Sequence, residues 1–191
     1  MHLLRENIEK TIGTSLTDDE FSTFSNFLFE KAFDKKHLLA EEGQVCQYIY
    51  FLLKGSAYSY YTDAEGEKHA VQFALEDFWV SDLYSFFSKR TGIYNAETLE
   101  NSRCLVLNRA NFETACNTLP TINNYFRILI QNAFVSLQYR FVRRQSADAE
   151  ARYAELMRTH PAFIQRIPQY LLASYLGIKP QSLSRIRHKH P

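Results

Sequence analysis

Between His37 and Leu107 the apolar side chains fall in short runs rather than on a helical stripe, and this constrains the fold more than any other feature of the chain. The runs are Tyr48-Ile49-Tyr50-Phe51-Leu52-Leu53, Ala57-Tyr58-Ser59-Tyr60-Tyr61, Ala70-Val71-Gln72-Phe73 and Cys104-Leu105-Val106-Leu107. Aromatic and β-branched residues suit a pleated, half-buried surface. Gly43, Lys54-Gly55 and Asp63-Ala64-Glu65-Gly66 punctuate the runs at roughly ten-residue intervals, the pattern of antiparallel strands in a β-sandwich or barrel. With 46% apolar residues and only six Gly and five Pro, the chain has a core to bury and is not a disordered polyelectrolyte.

Helical patterns flank this β-rich segment. Thr17-Asp18-Asp19-Glu20 reads as a capping box, followed by Phe21, Phe24, Leu28 and Ala32 at helical spacing. Pro120 suits the first turn of a second helix, on which Ile122, Phe126, Leu129, Ala133 and Leu137 form one stripe and Phe126, Ile130, Phe134, Leu137 and Phe141 an overlapping one. So wide an apolar surface on one helix predicts two partners, the β-domain on one side and a second copy of the chain on the other. A hinge is expected near Gln145, with Ser146 as the candidate N-cap of a small helical domain beyond it.

Charge divides the chain in the same place. Residues 1–139 hold 12 lysines and arginines against 18 acids, whereas residues 140–191 hold 10 against 3. An acidic body with a basic tail points to a polyanion as the partner of the C-terminal part. Cys46, Cys104 and Cys116 are odd in number and widely spaced, and the first residues are charged rather than apolar. A disulfide scaffold and a signal peptide are therefore not expected, no window is apolar for the roughly 20 residues of a membrane span, and the expected location is the cytoplasm.

The segment Gln169 to Ile186 meets the requirements of a helix-turn-helix: the small Ala173 where two helices touch, Gly177 for a turn with positive φ, and Leu172, Leu176, Ile178, Leu183 and Ile186 for the crossing. Pro180 opens the second helix, which turns Gln181, Ser182, Ser184 and Arg185 outward, with Arg187, His188 and Lys189 beyond. Arginine, glutamine and hydroxyl side chains are the types that read base edges, and lysine the type that holds phosphate. Lys179, Gln181, Ser182, Ser184, Arg185, Arg187 and Lys189 are the candidate DNA contacts; residues 166–191 contain no acid.

Taken together, the Tyr50-Phe51-Leu52-Leu53-Lys54-Gly55-Ser56-Ala57 run, the Glu65-Gly66-Glu67 turn, the Phe78-Trp79-Val80-Ser81-Asp82-Leu83 stretch, the long helix and the terminal Leu183-Ser184-Arg185-Ile186 resemble the cyclic-AMP receptor protein and fumarate-nitrate regulator (Crp/Fnr) superfamily of bacterial transcription factors. The resemblance spans nearly the whole chain. It implies a homodimer with an α+β fold: a jelly-roll sensor of cyclic-nucleotide-binding type over 1–118, a dimerisation helix over 119–145, and a helix-turn-helix DNA-binding domain over 146–191. It implies double-stranded DNA as partner, and RNA polymerase if the protein activates. Gln181, Ser182 and Arg185 fall where the family contacts bases.

Two departures qualify what the resemblance implies. The family's cassette pairs a Gly-Glu-Leu turn, which binds ribose, with an Arg-Ser/Thr-Ala segment whose arginine neutralises the cyclic phosphate. Here these read Ser81-Asp82-Leu83 and Tyr94-Asn95-Ala96, so neither cyclic AMP nor cyclic GMP is the expected effector. Any other effector is expected near Trp79, Ser81, Asp82, Leu83, Tyr94 and Asn95. With Pro191 directly after the second helix, the family's β-hairpin wing and its phosphate contacts are not expected.

Other classes fit less well. The cysteines do not form an iron–sulfur cluster motif, and His188 and His190 lack a third ligand for a metal. No nucleophile elbow or phosphate-cradling glycine loop argues for an enzyme. A cupin-type enzyme would have to be built on His37 and His69 alone. The alternative to a regulator is a small-molecule sensor or protein-interaction module with a vestigial DNA-binding domain.

Overall fold

A computed structural model of the chain describes residues 1–189; His190 lies outside them. The chain divides into two compact units, Met1–Ser59 with Phe73–Ala133, and Tyr60–Gln72 with Phe134–Pro191. Among the described residues no helix is long and apolar enough to cross a membrane.

Two helices open the first unit, α1 (His2–Ile12) and α2 (Asp18–Ser25). Leu4 and Ile8, one turn apart on α1, are fully buried. The capping box forms as the sequence indicates: Thr17 Oγ1 accepts from the Glu20 N–H while the Glu20 carboxylate accepts from the Thr17 N–H. The helical spacing that runs on to Leu28 and Ala32 is not followed. Phe27 and Leu28 close the helix with bonds to the Phe24 and Ser25 carbonyls. Phe29–Phe33 is then the first strand, β1, paired antiparallel with β8 (Ser102–Asn108), Phe29 opposite Val106. The ladder with β8 satisfies the backbone of this segment, and that tertiary pairing outweighs the local periodicity.

Between them lie β2 (Leu38–Ala40), β3 (Tyr48–Lys54), β4 (Ala57–Thr62), β5 (Lys68–Ala74), β6 (Trp79–Val80) and β7 (Asn95–Thr98). They form two four-stranded sheets, ordered β1-β8-β3-β6 and β2-β7-β4-β5. All four apolar runs of the sequence are strands. β3 is central, with Phe51 opposite Leu105 on one side and Trp79 on the other. Ile49 to Leu52 are consequently buried in succession, which is why this strand reads as a continuous apolar run.

Three helices follow or interrupt the strands: α3 (Leu83–Ser88), α4 (Arg109–Thr118) and α5 (Pro120–Ser146). The first half of α5 completes the core of this unit. Ile122, Tyr125 and Phe126 join Leu4, Ile8, Phe24, Phe51 and Trp79. The second half differs: Phe134, Val135, Leu137, Phe141 and Val142 are 52–66% exposed.

The second unit continues with α6 (Ala149–Thr159), α7 (Pro161–Arg166), α8 (Gln169–Leu176) and α9 (Pro180–Lys189). Its buried apolar residues include Tyr153, Leu156, Phe163, Leu172, Leu183 and Ile186. The sequence offers Ser146 as the cap of the helix after the hinge, but Ser146 ends α5, its hydroxyl donating to the Val142 carbonyl. Asp148 caps α6 instead, accepting from Ala151 N at 2.8 Å. An ionised carboxylate suits the positive end of a helix better than a hydroxyl already engaged in the preceding turn.

Candidate functional site

In the first unit the loop around Asp82 is built on one buried carboxylate. Asp82 is 1% exposed. Its Oδ1 accepts from Ser85 N at 3.0 Å, capping α3, and its Oδ2 accepts from Ile93 N at 2.9 Å and Tyr94 N at 3.2 Å. Gly92 is the residue that permits this approach. A Cβ there would stand 2.8 Å from Asp82 Oδ2 and 2.9 Å from the Gln44 carbonyl oxygen, to which Gly92 N itself donates.

The neighbouring polar side chains are also engaged. The Ser81 hydroxyl donates to the Tyr48 carbonyl at 2.6 Å and lies 3.0 Å from Cys46 Sγ. Ser85 Oγ accepts from Cys46 N and donates to the Arg90 carbonyl. Arg109 ties the same region together with bonds to the carbonyls of Phe86, Ser85 and Cys46.

Of the six residues expected to line an effector pocket, the structure brings Asp82 and Tyr94 together through that backbone bond. Asn95, half-buried, instead accepts from Glu42 N at 3.0 Å. Leu83 packs against the core. Trp79 is in the core itself: its indole N–H donates to Tyr125 Oη at 2.7 Å, Tyr125 donates to Asn7 Oδ1 at 2.6 Å, and the Trp79 ring meets Phe51 and Phe126. A groove of about 220 Å³ lies beside the loop around Asp82, lined by Leu38 to Glu41 and Gln44 to Tyr48. None of the six residues lines it.

In the second unit α8 and α9 are joined by a turn whose bonding explains its residues. Gly177 takes φ 68°, Ile178 N donates to the Ala173 carbonyl and Gly177 N to the Ser174 carbonyl. This double closure satisfies the last carbonyls of α8 and needs a left-handed residue, for which glycine is the least strained. The Leu176 carbonyl is capped by Arg152 Nε at 3.2 Å. Ala173 is fully buried, as its place at the helix contact requires. Two further side chains fix α8: Ser174 Oγ accepts from Ala70 N and donates to the Lys68 carbonyl, and Arg140 donates to the Val71 carbonyl and to Tyr175 Oη.

Leu183 and Ile186 hold α9 from within. Gln181 and Arg185, one turn apart, are exposed, as are Lys179 and Lys189; Ser182, Ser184 and Arg187 are half-buried. Lys189 Nζ meets Glu150 Oε2 at 3.0 Å, an exposed pair. The roles of Arg140, Arg152, Ser174 and Gly92 are not legible in the sequence, because each depends on backbone groups distant along the chain.

Residues 30–118 match the family described as cyclic nucleotide-binding domain. No curated protein matches the chain. Among solved structures the chain is similar in fold to the c-di-GMP responsive global regulator CLP of Xanthomonas campestris, at 12% identity and TM-score 0.71 over 91% of each chain. A putative transcriptional regulator of the Crp/Fnr family from Eubacterium rectale gives 12% identity and TM-score 0.68 over 91% of this chain and 83% of that one. The catabolite activator protein of Thermus thermophilus gives 15% identity and TM-score 0.60, covering 94% and 85%. The chain is thus a mixed helix-and-sheet protein whose residues 30–118 resemble a cyclic nucleotide-binding domain. Its fold is similar to that of Crp/Fnr regulators.

Proposed function

We propose that the chain is a homodimeric transcription regulator, in which α8 and α9 act as a helix-turn-helix on duplex DNA and the β-domain receives a signal. The observation that carries this is α9: fixed by Leu183 and Ile186 on its inner face, it offers Gln181 and Arg185 outward within a stretch free of acids. Such a helix suits the major groove, with arginine bidentate to guanine and glutamine to adenine. The likeness to regulators over 91% of the chain supports the same reading. The exposed apolar second half of α5 supports the dimer, since a contiguous apolar surface of this kind marks an interface.

On this reading cyclic AMP and cyclic GMP are not the effectors. Asp82 is already committed to three backbone donors, and the cassette has Tyr94 where the family carries its arginine. The signal acts as a population shift between two arrangements of the paired helices. The test compares Arg185→Ala with the wild type on a selected duplex and on random duplex. The variant loses about 1 to 3 kcal/mol on the selected sequence and much less on random DNA. Equal losses on both would remove Arg185 from base recognition. A wild type with no salt-dependent duplex binding would favour the sensor or interaction module instead.

A further inference from the structure

The basic residues at the end of α5 and the start of α6 divide into two groups. Arg140 is spent on the Val71 carbonyl and Tyr175, Arg143 on Glu155, and Arg152 on the carbonyls of Leu176 and Ala147. Arg144 is exposed and makes no such bond among the described residues. A Cβ on Gly177 would lie 3.3 Å from Arg144 Nε, 3.4 Å from Nη2 and 3.6 Å from Cζ. These distances place the Nε–Nη2 edge of the guanidinium beside the turn between α8 and α9. A side chain at position 177 would push it away.

We infer that Arg144 is a DNA-backbone contact: an exposed guanidinium beside the turn that grips a phosphate next to the groove entered by α9. The inference rests on the DNA-binding reading above and extends its contact surface from the recognition helix to the end of α5. A planar fork with no internal acceptor to satisfy suits a phosphate oxygen pair. Its position fits, because phosphates flank a groove-bound helix, and Lys179 stands two residues beyond the turn on which Arg144 rests. By contrast Lys189, at the far end of α9, meets the Glu150 carboxylate and must leave it before it can hold a phosphate.

The experiment measures duplex affinity across a series of salt concentrations for the wild type, Arg144→Ala, Arg144→Lys and Lys189→Ala, on both a selected and a random duplex. Arg144→Ala is expected to weaken binding to both duplexes alike and to flatten the slope of log affinity against log salt by about 0.9 per bound subunit. The advantage of the wild type over the variant then shrinks about 3.5-fold per subunit between 50 and 200 mM salt. Arg144→Lys retains the slope, and Lys189→Ala flattens it less than Arg144→Ala. An unchanged slope in Arg144→Ala, or a loss confined to the selected sequence, overturns the inference while leaving the regulator reading intact. A flattened slope that Arg144→Lys does not restore assigns Arg144 to supporting the turn and overturns it too. A wild type without salt-dependent duplex binding refutes the regulator reading itself.

Discussion

Replacing Asp82 with alanine tests how the β-domain is held together. The carboxylate is buried and accepts three backbone hydrogen bonds, from Ser85, Ile93 and Tyr94. Loss of a helix N-cap costs about 1 kcal/mol, and a buried donor left without an acceptor costs about 1 to 3 kcal/mol. Ile93 is exposed, so water replaces the acceptor there, whereas Tyr94 is half-buried. The expected total is about 3 kcal/mol. Trp79 is the only tryptophan of the chain and sits in the core of this unit, so its emission during urea unfolding reports on the right region. With a urea dependence of about 2 kcal/mol per molar, the midpoint falls by about 1.5 M. Asp82→Asn retains one carbonyl oxygen, which can cap α3 or hold the loop but not both, and loses about half as much. A shift below about 0.5 M in Asp82→Ala would refute the claim that this carboxylate organises the loop.

Three further outcomes rest on the geometry. Phe134→Glu combined with Phe141→Glu places charges on the exposed apolar half of α5, and sedimentation is expected to show a monomer with unchanged Trp79 emission; a dimer that survives both changes would move the interface elsewhere. The hydroxyls of Thr121 and Thr17 and the Thr17 N–H hold the Glu20 carboxyl below its usual range, so the folded state favours its ionised form. The stability it contributes is present above about pH 4.5 and lost as the pH falls through the lowered value, so the advantage of the wild type over Glu20→Gln shrinks in acid urea titrations; a constant difference would contradict this. Burial pushes the Cys104 thiol up to about 12 and the Cys116 thiol up to about 11. Mass spectrometry after native alkylation near pH 7 should therefore find Cys104 unmodified until the chain unfolds and Cys116 modified slowly, and rapid labelling of Cys104 would show the core to be open.

The sequence discloses those features whose causes are local. The Thr17–Glu20 box, the Pro120 start, and the Ala173, Gly177 and Pro180 spacing all act within a few residues, and each recurs in the structure. Of the strands legible in the sequence, β3, β4 and β8 carry side chains buried in runs. β1 escapes because Phe-Glu-Lys-Ala-Phe alternates too weakly to override the helical spacing preceding it, and its state depends on pairing with β8, some 70 residues away in the chain. The two-residue β6 carries no period at all. At the site, Asp82 stands out by its position, but its partners are backbone amides, which leave no trace in side-chain identity. Trp79 resembles a pocket wall because an aromatic residue next to a polar loop looks the same in sequence whether it faces a ligand or, as here, Tyr125 and Phe126.

The proposed role of α9, paired across the dimer, is to read duplex DNA. It is tested most directly by selecting bound fragments from a random duplex library with the purified protein at several salt concentrations, and repeating the selection with Arg185→Ala. The expected result is an enriched, two-fold symmetric motif whose half-sites lie about 34 Å apart, lost in the variant. Enrichment of no motif, or of one that the variant retains unchanged, would contradict it.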